Sequence, residues 1–213
     1  MTTTVGFVCE GPTDVEVLRP LVEHVAGGPI EPVYLQPSYD ALDQWGQGGE
    51  TRVERWCKDK GSWLQWLLQP RGIDLLVIQM DADRCPKYGA ADTTALCATI
   101  KGWLGDGARL PEVLIVLPAQ ATEAWLVAAY QSPTPELEAL RHPEDRLAQL
   151  GKLARGAEGR PLKAVERYAP MTADLISKLP ELRPQAGQRP PLIELHRFMT
   201  KLERHPALAQ EAP

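Results

Sequence analysis

The chain has 213 residues, of which 44% are hydrophobic and 24% are charged, an ordinary composition for a globular protein. A core of normal size therefore needs no disulfides or structural metals. No apolar run approaches the roughly 18 residues of a membrane span, and the N-terminus Met1–Thr4 lacks the charged and apolar regions of a signal peptide. The cysteines form no Cys-x-x-Cys pair, which fits a reducing compartment. We expect a cytoplasmic protein with no membrane partner.

The net charge is -5, which by itself argues against a nucleic-acid-binding protein. The charge is unevenly distributed, however. Residues 1–131 contain 10 Lys and Arg against 17 Asp and Glu, whereas residues 132–213 contain 13 against 11. An acidic first part can hold cations and a mildly basic second part can face phosphates, so the charge pattern permits a nuclease without demonstrating one.

The predicted elements alternate between apolar strands and amphipathic helices. Val5–Cys9 reads as a buried strand. Thr13 and Glu16 have capping-box spacing, which predicts Thr13 as the N-cap of a helix that ends at Gly27-Gly28. Further along the chain the pattern predicts strands over 32–36, 74–80 and 113–117, and helices over 51–68, about 90–104, 122–130 and 192–203. In the helix over 51–68, the side chains expected to face inward are Val53, Trp56, Trp63, Leu64, Leu67 and Leu68.

This alternation predicts an α/β fold with a Rossmann-like, mostly parallel sheet of about four strands flanked by helices. We assign residues 1–131 to this domain. Residues 132–213 show helical patterns and no convincing strand, so we expect a helical C-terminal extension packed on the same domain. The tail from His205 to Pro213 is expected to fray.

Acidic residues follow two of the apolar strands directly. Glu10 ends the first strand, and Asp81 and Asp83 follow the longest apolar run. The C-terminal ends of parallel strands line one edge of a sheet, so these carboxylates meet if their strands are neighbours. Carboxylates held that close repel one another, and a divalent cation relieves the repulsion. Oxygen ligands without His or Cys favour Mg²⁺ or Mn²⁺ over zinc.

Each acidic residue also has a plainer interpretation. Asp14 suits the positive end of a helix dipole whether or not it binds a metal. Asp81 and Asp83 are equally compatible with solvated carboxylates at a strand end, because a lone Asp-x-Asp is weak evidence. The joint pattern is more specific. A strand is followed by Glu-Gly-x-x-Asp and a helix, and a later apolar strand is followed directly by Asp-x-Asp.

Two segments of the chain resemble the signature motifs of the TOPRIM domain: Val8-Cys9-Glu10-Gly11-Pro12-Thr13-Asp14 and Ile78-Gln79-Met80-Asp81-Ala82-Asp83. The Glu-Gly-x-x-Asp form is similar to the overcoming-lysogenization-defect (OLD) nucleases and to small stand-alone TOPRIM-like proteins. The segment Ala121-Thr122-Glu123-Ala124-Trp125-Leu126 resembles a stretch of that small group. The resemblance covers roughly residues 5–130.

The resemblance implies roles for individual residues. Glu10 matches a general base or metal ligand, Asp81 and Asp83 match metal ligands, and Asp14 matches the acidic residue used at a second metal. Glu123 is a further candidate ligand of a two-metal site, and it is equally a first-turn glutamate favoured by the helix dipole. A nuclease also needs a cation at the scissile phosphate. The candidates are Lys163 and Arg160, each of which also reads as a solvated surface charge, and Arg84 is placed to pair with the Asp-x-Asp.

The first functional hypothesis is therefore a Mg²⁺- or Mn²⁺-dependent TOPRIM nuclease that hydrolyses DNA, with RNA as the alternative substrate. The resemblance to the OLD nucleases implies that it works with an ABC-class ATPase partner, in antiphage defence or DNA processing. The alternative is that it acts as a homodimer without a partner protein. The chain has no Gly-x-x-x-x-Gly-Lys phosphate loop of its own. Two alternatives stay open: a catalytically silent binding or regulatory subunit, and nucleotidyl or phosphoryl transfer on a small substrate.

Overall fold

Four short apolar strands form one parallel sheet in the order β2-β1-β3-β4. The computed structural model describes residues 2–184 and 187–209 of the chain. The strands are β1 (Thr4–Val8), β2 (Glu31–Gln36), β3 (Leu75–Gln79) and β4 (Val113–Val116). Every residue of β3 is buried, as expected of a central parallel strand covered on both faces. The predicted α/β fold with a four-stranded parallel sheet is confirmed.

Helices connect the strands, and the described chain after β4 consists of helices and the loops between them. Between strands lie α1 (Pro12–Ala26), α2 (Glu50–Lys60), α3 (Leu64–Leu68) and α4 (Thr93–Leu104). After β4 follow α5 (Thr122–Val127), α6 (Pro135–Glu138), α7 (Pro143–Gln149), α8 (Tyr168–Leu182) and α9 (Ile193–Glu203). Short 3₁₀ turns lie at Gly61–Trp63, Gln69–Arg71, Ala82–Tyr88, Gly105–Arg109, Val165–Arg167 and Pro206–Leu208. None of the helices in the described residues is long and apolar enough to cross a membrane.

Helix α1 begins earlier than the capping pattern predicts. Gly11 is the N-cap and Pro12 is the first helical residue, so the prediction of Thr13 as N-cap is wrong. Proline suits the first helical position because its φ is already helical and its missing N–H would have no partner there. Asp14 then occupies the third position, where its carboxylate accepts a hydrogen bond from the Gly11 N–H at 2.9 Å.

The helix predicted over 51–68 is interrupted. Gly61 packs so tightly that a Cβ there would lie 2.6 Å from backbone atoms of Leu104, and the 3₁₀ turn begins at this point. The predicted single helix ends at Lys60 and α-helix resumes at Leu64, although the burial of Leu64 and Leu68 keeps the helical spacing. Leu64 and Leu68 are buried as predicted, but Trp63 is 65% exposed, so its predicted inward position is wrong.

The two faces of the sheet carry separate apolar cores. Side chains alternate along a strand, so Phe7 and Val77 contribute to one core, whereas Val8 and Ile78 contribute to the other. The second core is closed by α2, α3 and α4. The first is closed by α1 together with the C-terminal helices, chiefly α8 and α9. The C-terminal helices thus share a core with the sheet.

A buried carboxylate joins the C-terminal helices to each other. Glu138, 5% exposed, accepts hydrogen bonds from the backbone N–H groups of Glu194 and Leu195 at the start of α9. It also accepts one from the indole Nε1 of Trp125 at 3.0 Å. The chain continues past α9 to the 3₁₀ turn, where Leu208 is buried, so the prediction of a frayed tail is wrong up to that residue. Residues 210–213 of that tail lie outside the described residues.

Candidate functional site

Glu10 and Asp81 lie in contact at the C-terminal edge of the sheet. They follow β1 and β3, which are neighbours in register, with Val8 opposite Ile78. The Glu10 carboxylate accepts a hydrogen bond from the Asp81 backbone N–H at 2.8 Å. Two acidic residues 71 positions apart in the chain are thereby held side by side, at the edge where open α/β sheets bind their ligands.

The amide of Gln79 bridges the same two residues. Its Oε1 accepts a hydrogen bond from the Glu10 backbone N–H at 2.9 Å, and its Nε2 donates to the Asp81 carboxylate at 2.7 Å. The side chain is completely buried. Because each bond has a defined donor, the two ends of the amide are fixed by their partners. Gln79 therefore sets the position of the Asp81 carboxylate relative to β1.

Asp14 is buried beneath these carboxylates, with 6% of its surface exposed. One oxygen accepts the Gly11 N–H, and the other accepts a hydrogen bond from the Thr122 hydroxyl at 2.7 Å. Asp14 thus links the start of α1 to the start of α5, in addition to any favourable interaction with the helix dipole. Both of its oxygens are held by protein groups.

Glu123 and Lys163 form an ion pair that joins α5 to the C-terminal extension. The Lys163 Nζ lies 2.9 Å from Glu123 Oε1, and the Tyr168 hydroxyl donates to the same oxygen at 2.9 Å. Glu123 is 2% exposed, so it is not a solvated first-turn glutamate. Burial lowers the pKa of Lys163, but the carboxylates of Glu123, Glu144 and Asp14 raise it more, so its pKa lies above the ordinary value.

The carboxylates at this edge raise one another's pKa. Burial is the largest cause for Glu10, whose pKa rises to about 8 although the bond from Asp81 N–H opposes the rise. For Asp14, burial and repulsion from Glu123 raise the pKa to about 7. Burial, then Asp14 and Glu10, raise the pKa of Asp81 well above its ordinary value. Acidic groups are thus concentrated at an edge where ionisation of all of them would leave negative charge that the protein compensates only in part.

Asp83 lies at the open side of this cluster. Its side chain is 34% exposed, and the Arg84 Nε lies 3.2 Å from one of its oxygens. Burial raises the pKa of Asp83, and the Arg84 guanidinium opposes the rise. Arg84 therefore pairs with the Asp-x-Asp, as its position in the sequence predicts.

The donor set suits a hard divalent cation, but the side chains do not converge on one point. Only carboxylate oxygens are present, as Mg²⁺ and Mn²⁺ prefer, and their raised pKa values are those that a cation would lower. Across residues 2–184 and 187–209, no three His, Cys, Asp or Glu side chains are arranged as ligands of a single metal ion. Cation binding would therefore require side-chain rotation, first of all at Glu10, whose carboxylate is bonded to the Asp81 N–H just after β3.

A polar cavity of about 660 Å³ opens beside Asp81 and Asp83. Its volume lies within the ordinary range of ligand sites. One wall belongs to the turn after β3 and another to the C-terminal extension. The charged and titratable residues of its lining are Asp81, Asp83, Arg84, Arg141, His142, Glu144 and Lys163. Arg160 does not belong to this lining; it is 86% exposed and lies 3.8 Å from Glu158.

The loop before α2 rests on the backbone of Glu10. The Gly49 N–H donates to the Glu10 carbonyl at 2.5 Å, and a Cβ at Gly48 would collide with that same carbonyl. Glycine at position 48 therefore permits the close approach. This contact fixes the backbone of Glu10 from the side opposite Gln79.

Several residues of this region escaped sequence-based reasoning. A lone amide inside an otherwise apolar strand signals a buried polar group that needs partners, and Gln79 could have been found by that signal. Thr122 lies next to Glu123, which the sequence already predicts as a candidate ligand. Nothing local marks Tyr168, Arg141 or His142, because their positions depend on how the C-terminal helices pack.

The chain matches no protein-family model, no curated protein and no solved structure.

Proposed function

We propose that the protein is a Mg²⁺- or Mn²⁺-dependent phosphodiesterase of the TOPRIM type that hydrolyses DNA. The observation that carries the proposal is the contact between Glu10 and Asp81 at the C-terminal ends of two neighbouring parallel strands. Asp14 adds a third carboxylate to this edge, and all three have raised pKa values. Such a concentration of partly uncompensated acidic groups in a ligand-binding position is typical of functional sites.

Asp81, Asp83 and Glu10 are the residues proposed to hold the cation, with Asp14 and Glu123 as candidates for a second one. When bound, the cation supplies Lewis-acid stabilisation of the charge that develops on the phosphate. Glu10 is the proposed base that takes a proton from the attacking water, because it lies at the open edge beside Asp81. Gln79 keeps Glu10 and Asp81 in position through its two hydrogen bonds.

Lys163 is the proposed cationic side chain near the scissile phosphate. It lines the cavity, and its side chain is 46% exposed while its Nζ is paired with Glu123. A positive group held in place before the substrate arrives stabilises developing negative charge without reorganisation.

Cleavage of supercoiled plasmid and of single-stranded DNA, with Mg²⁺, with Mn²⁺ and with EDTA, tests the proposal. We expect metal-dependent cleavage that Asp81→Asn reduces by at least about 100-fold, as loss of a group acting on the transition state does. Asp106→Asn is the matched control, because it removes one carboxylate that is 96% exposed and lies before β4, at the opposite end of the sheet. Equal cleavage by wild type and Asp81→Asn would contradict the proposal.

A specific observation favours a second candidate, a catalytically silent binding or regulatory subunit. The carboxylates of Glu10, Asp14 and Glu123 are each hydrogen-bonded to protein groups, and no three acidic, His or Cys side chains of the described chain surround one point. Calorimetry with Mn²⁺ separates the two candidates. Mn²⁺ binding that Asp81→Asn abolishes, without cleavage of either DNA, would favour the silent subunit or one that awaits a partner.

The proposal extends to a protein partner, an ABC-class ATPase in the setting of antiphage defence or DNA processing. It is supported by two neighbouring exposed tryptophans, Trp63 at 65% and Trp66 at 73%, since exposed tryptophans are enriched at protein interfaces. Co-purification with an ATPase encoded by the neighbouring gene is the expected result. A stable homodimer that cleaves DNA alone would contradict it.

A further inference from the structure

The cavity beside Asp81 has a basic side as well as an acidic one. Four of its lining residues are basic or imidazole side chains: Arg84, Arg141, His142 and Lys163. Two of these are already paired with carboxylates of the protein. Arg84 lies 3.2 Å from Asp83, and Lys163 lies 2.9 Å from the buried Glu123.

Arg141 and His142 are the members of this group that remain available. Among the described residues, no carboxylate lies within 4.0 Å of Arg141, and its guanidinium makes no hydrogen bond. His142 has only Glu144 nearby, at 3.8 Å, and its side chain is 76% exposed. Both residues line the cavity and both are exposed.

The backbone of His142 has an uncommon conformation that its neighbours hold in place. His142 has a positive φ of 55° and is followed by Pro143, which is buried and begins α7. The His142 carbonyl accepts a hydrogen bond from the Asp145 N–H at 3.0 Å. A non-glycine residue at positive φ is uncommon and needs support from its surroundings. The segment is therefore anchored on one side and open to the cavity on the other.

We propose that Arg141, assisted by His142, forms a subsite for a second backbone phosphate of the DNA strand whose neighbouring phosphate lies at Asp81 and Asp83. This assignment rests on the proposed function. Arginine suits the role because its planar guanidinium can bind two phosphate oxygens at once and is always charged. The C-terminal extension thereby supplies substrate affinity that the acidic edge of the sheet lacks, since carboxylates alone repel a polyanion.

Fluorescence anisotropy of a labelled single-stranded oligonucleotide in EDTA tests the subsite without turnover. We expect Arg141→Ala to weaken binding about 5- to 30-fold, the effect of losing one or two kcal/mol. The slope of log affinity against log salt should decrease by about 0.7, the value for one lost phosphate contact on a single strand. Arg141→Lys should recover part of the affinity and the full slope, because it keeps the charge and loses the planar fork. His142→Ala should give a smaller loss in the same direction.

Arg109→Ala is the matched control, since Arg109 is 86% exposed, lies 3.6 Å from Asp106, and precedes β4 at the opposite end of the sheet. It should leave affinity and slope unchanged. Wild-type affinity and slope in Arg141→Ala would overturn the subsite, and so would a wild-type protein that does not bind the oligonucleotide. The two proposals fail separately. Cleavage by Arg141→Ala with an unchanged KM would overturn the subsite and leave the nuclease standing. Oligonucleotide binding that Arg141→Ala weakens, without cleavage by the wild type, would leave the subsite standing and favour a binding subunit over a nuclease that acts alone.

Discussion

The Glu10 carboxylate accepts a hydrogen bond from the Asp81 backbone N–H at 2.8 Å, across two neighbouring parallel strands. This bond lowers the pKa of Glu10, whereas its burial and the charges of Asp14 and Glu50 raise it, and the net result is about 8. The fold therefore holds the carboxylates together against their own repulsion. A site of this kind gains stability from any cation that binds the folded protein.

The raised pKa of Glu10 predicts the pH dependence of the metal-free protein. Between pH 4.5 and about 8, Glu10 is protonated in the folded state and ionised in the unfolded state. The free energy of unfolding therefore falls as the pH rises through this window. Glu10→Gln removes the effect and keeps the acceptor for Asp81 N–H. In EDTA we expect the Tm of Glu10→Gln to match the Tm of the wild type near pH 4 and to exceed it by about 2–8 °C at pH 8. Mn²⁺ should raise the wild-type Tm at pH 8 more than that of the variant. A Tm difference that is the same at both pH values would contradict this prediction.

Gln79→Leu should destabilise the protein by about 1–3 kcal/mol, because it leaves the Glu10 N–H without its acceptor and takes a donor from the Asp81 carboxylate. Chemical denaturation measures the change. Met80→Leu is the control, a volume-conserving change at the next buried position, and it should cost less than about 1.5 kcal/mol. Mn²⁺ affinity measured by calorimetry should fall in Gln79→Leu and stay at the wild-type value in Met80→Leu. Equal stability of the two variants would show that the bridge is dispensable.

The ion pair of Glu123 and Lys163 should contribute more to stability than an ordinary surface pair. Lys163→Met leaves a carboxylate that is 2% exposed with Tyr168 as its remaining neutral donor, which we expect to cost about 1–3 kcal/mol, between the values for surface and buried pairs. A double-mutant cycle with Glu123→Gln measures the coupling. The exposed pair of Glu54 and Lys58 serves as the comparison and should show a coupling below about 1 kcal/mol. Additive effects at Glu123 and Lys163 would refute the prediction.

Glu138→Gln should destabilise the protein without affecting the proposed site. The carboxylate accepts backbone N–H groups at the start of α9 and the Trp125 indole N–H, and hydrogen bonds to a charged group contribute about 1.5–3 kcal/mol each. We expect a loss of that order in the free energy of unfolding. Mn²⁺ affinity and any DNA cleavage should match wild type at a temperature well below the Tm. Altered metal affinity would mean that the C-terminal helices position the acidic cluster more directly than their contacts indicate.

Much of the architecture could be predicted from local patterns. The continuous apolar run of β3 predicted a central strand, and the alternation of strands and helices predicted a parallel sheet. Because all parallel strands end at the same edge, residues placed directly after β1 and β3 could be assigned to that edge from the sequence alone. Local patterns failed where tertiary contacts intervene. Gly61 packs against the backbone of Leu104 at the point where the predicted helix is interrupted, and Trp63 beyond it is exposed.

The sequence by itself determined which residues are acidic, which strands precede them and at which edge of the sheet they lie. Strand period and turn residues are local signals, and the alternation of strands and helices implies parallel strands that end at one edge. The tertiary structure alone decided the partners of those residues. Glu123 meets Lys163 and Tyr168, Asp14 meets Thr122, and Arg141 faces the cavity of Asp81 because helices distant in sequence pack on the same face and edge of the sheet. Such contacts depend on the orientation of whole helices around a shared core, which no short stretch of sequence specifies.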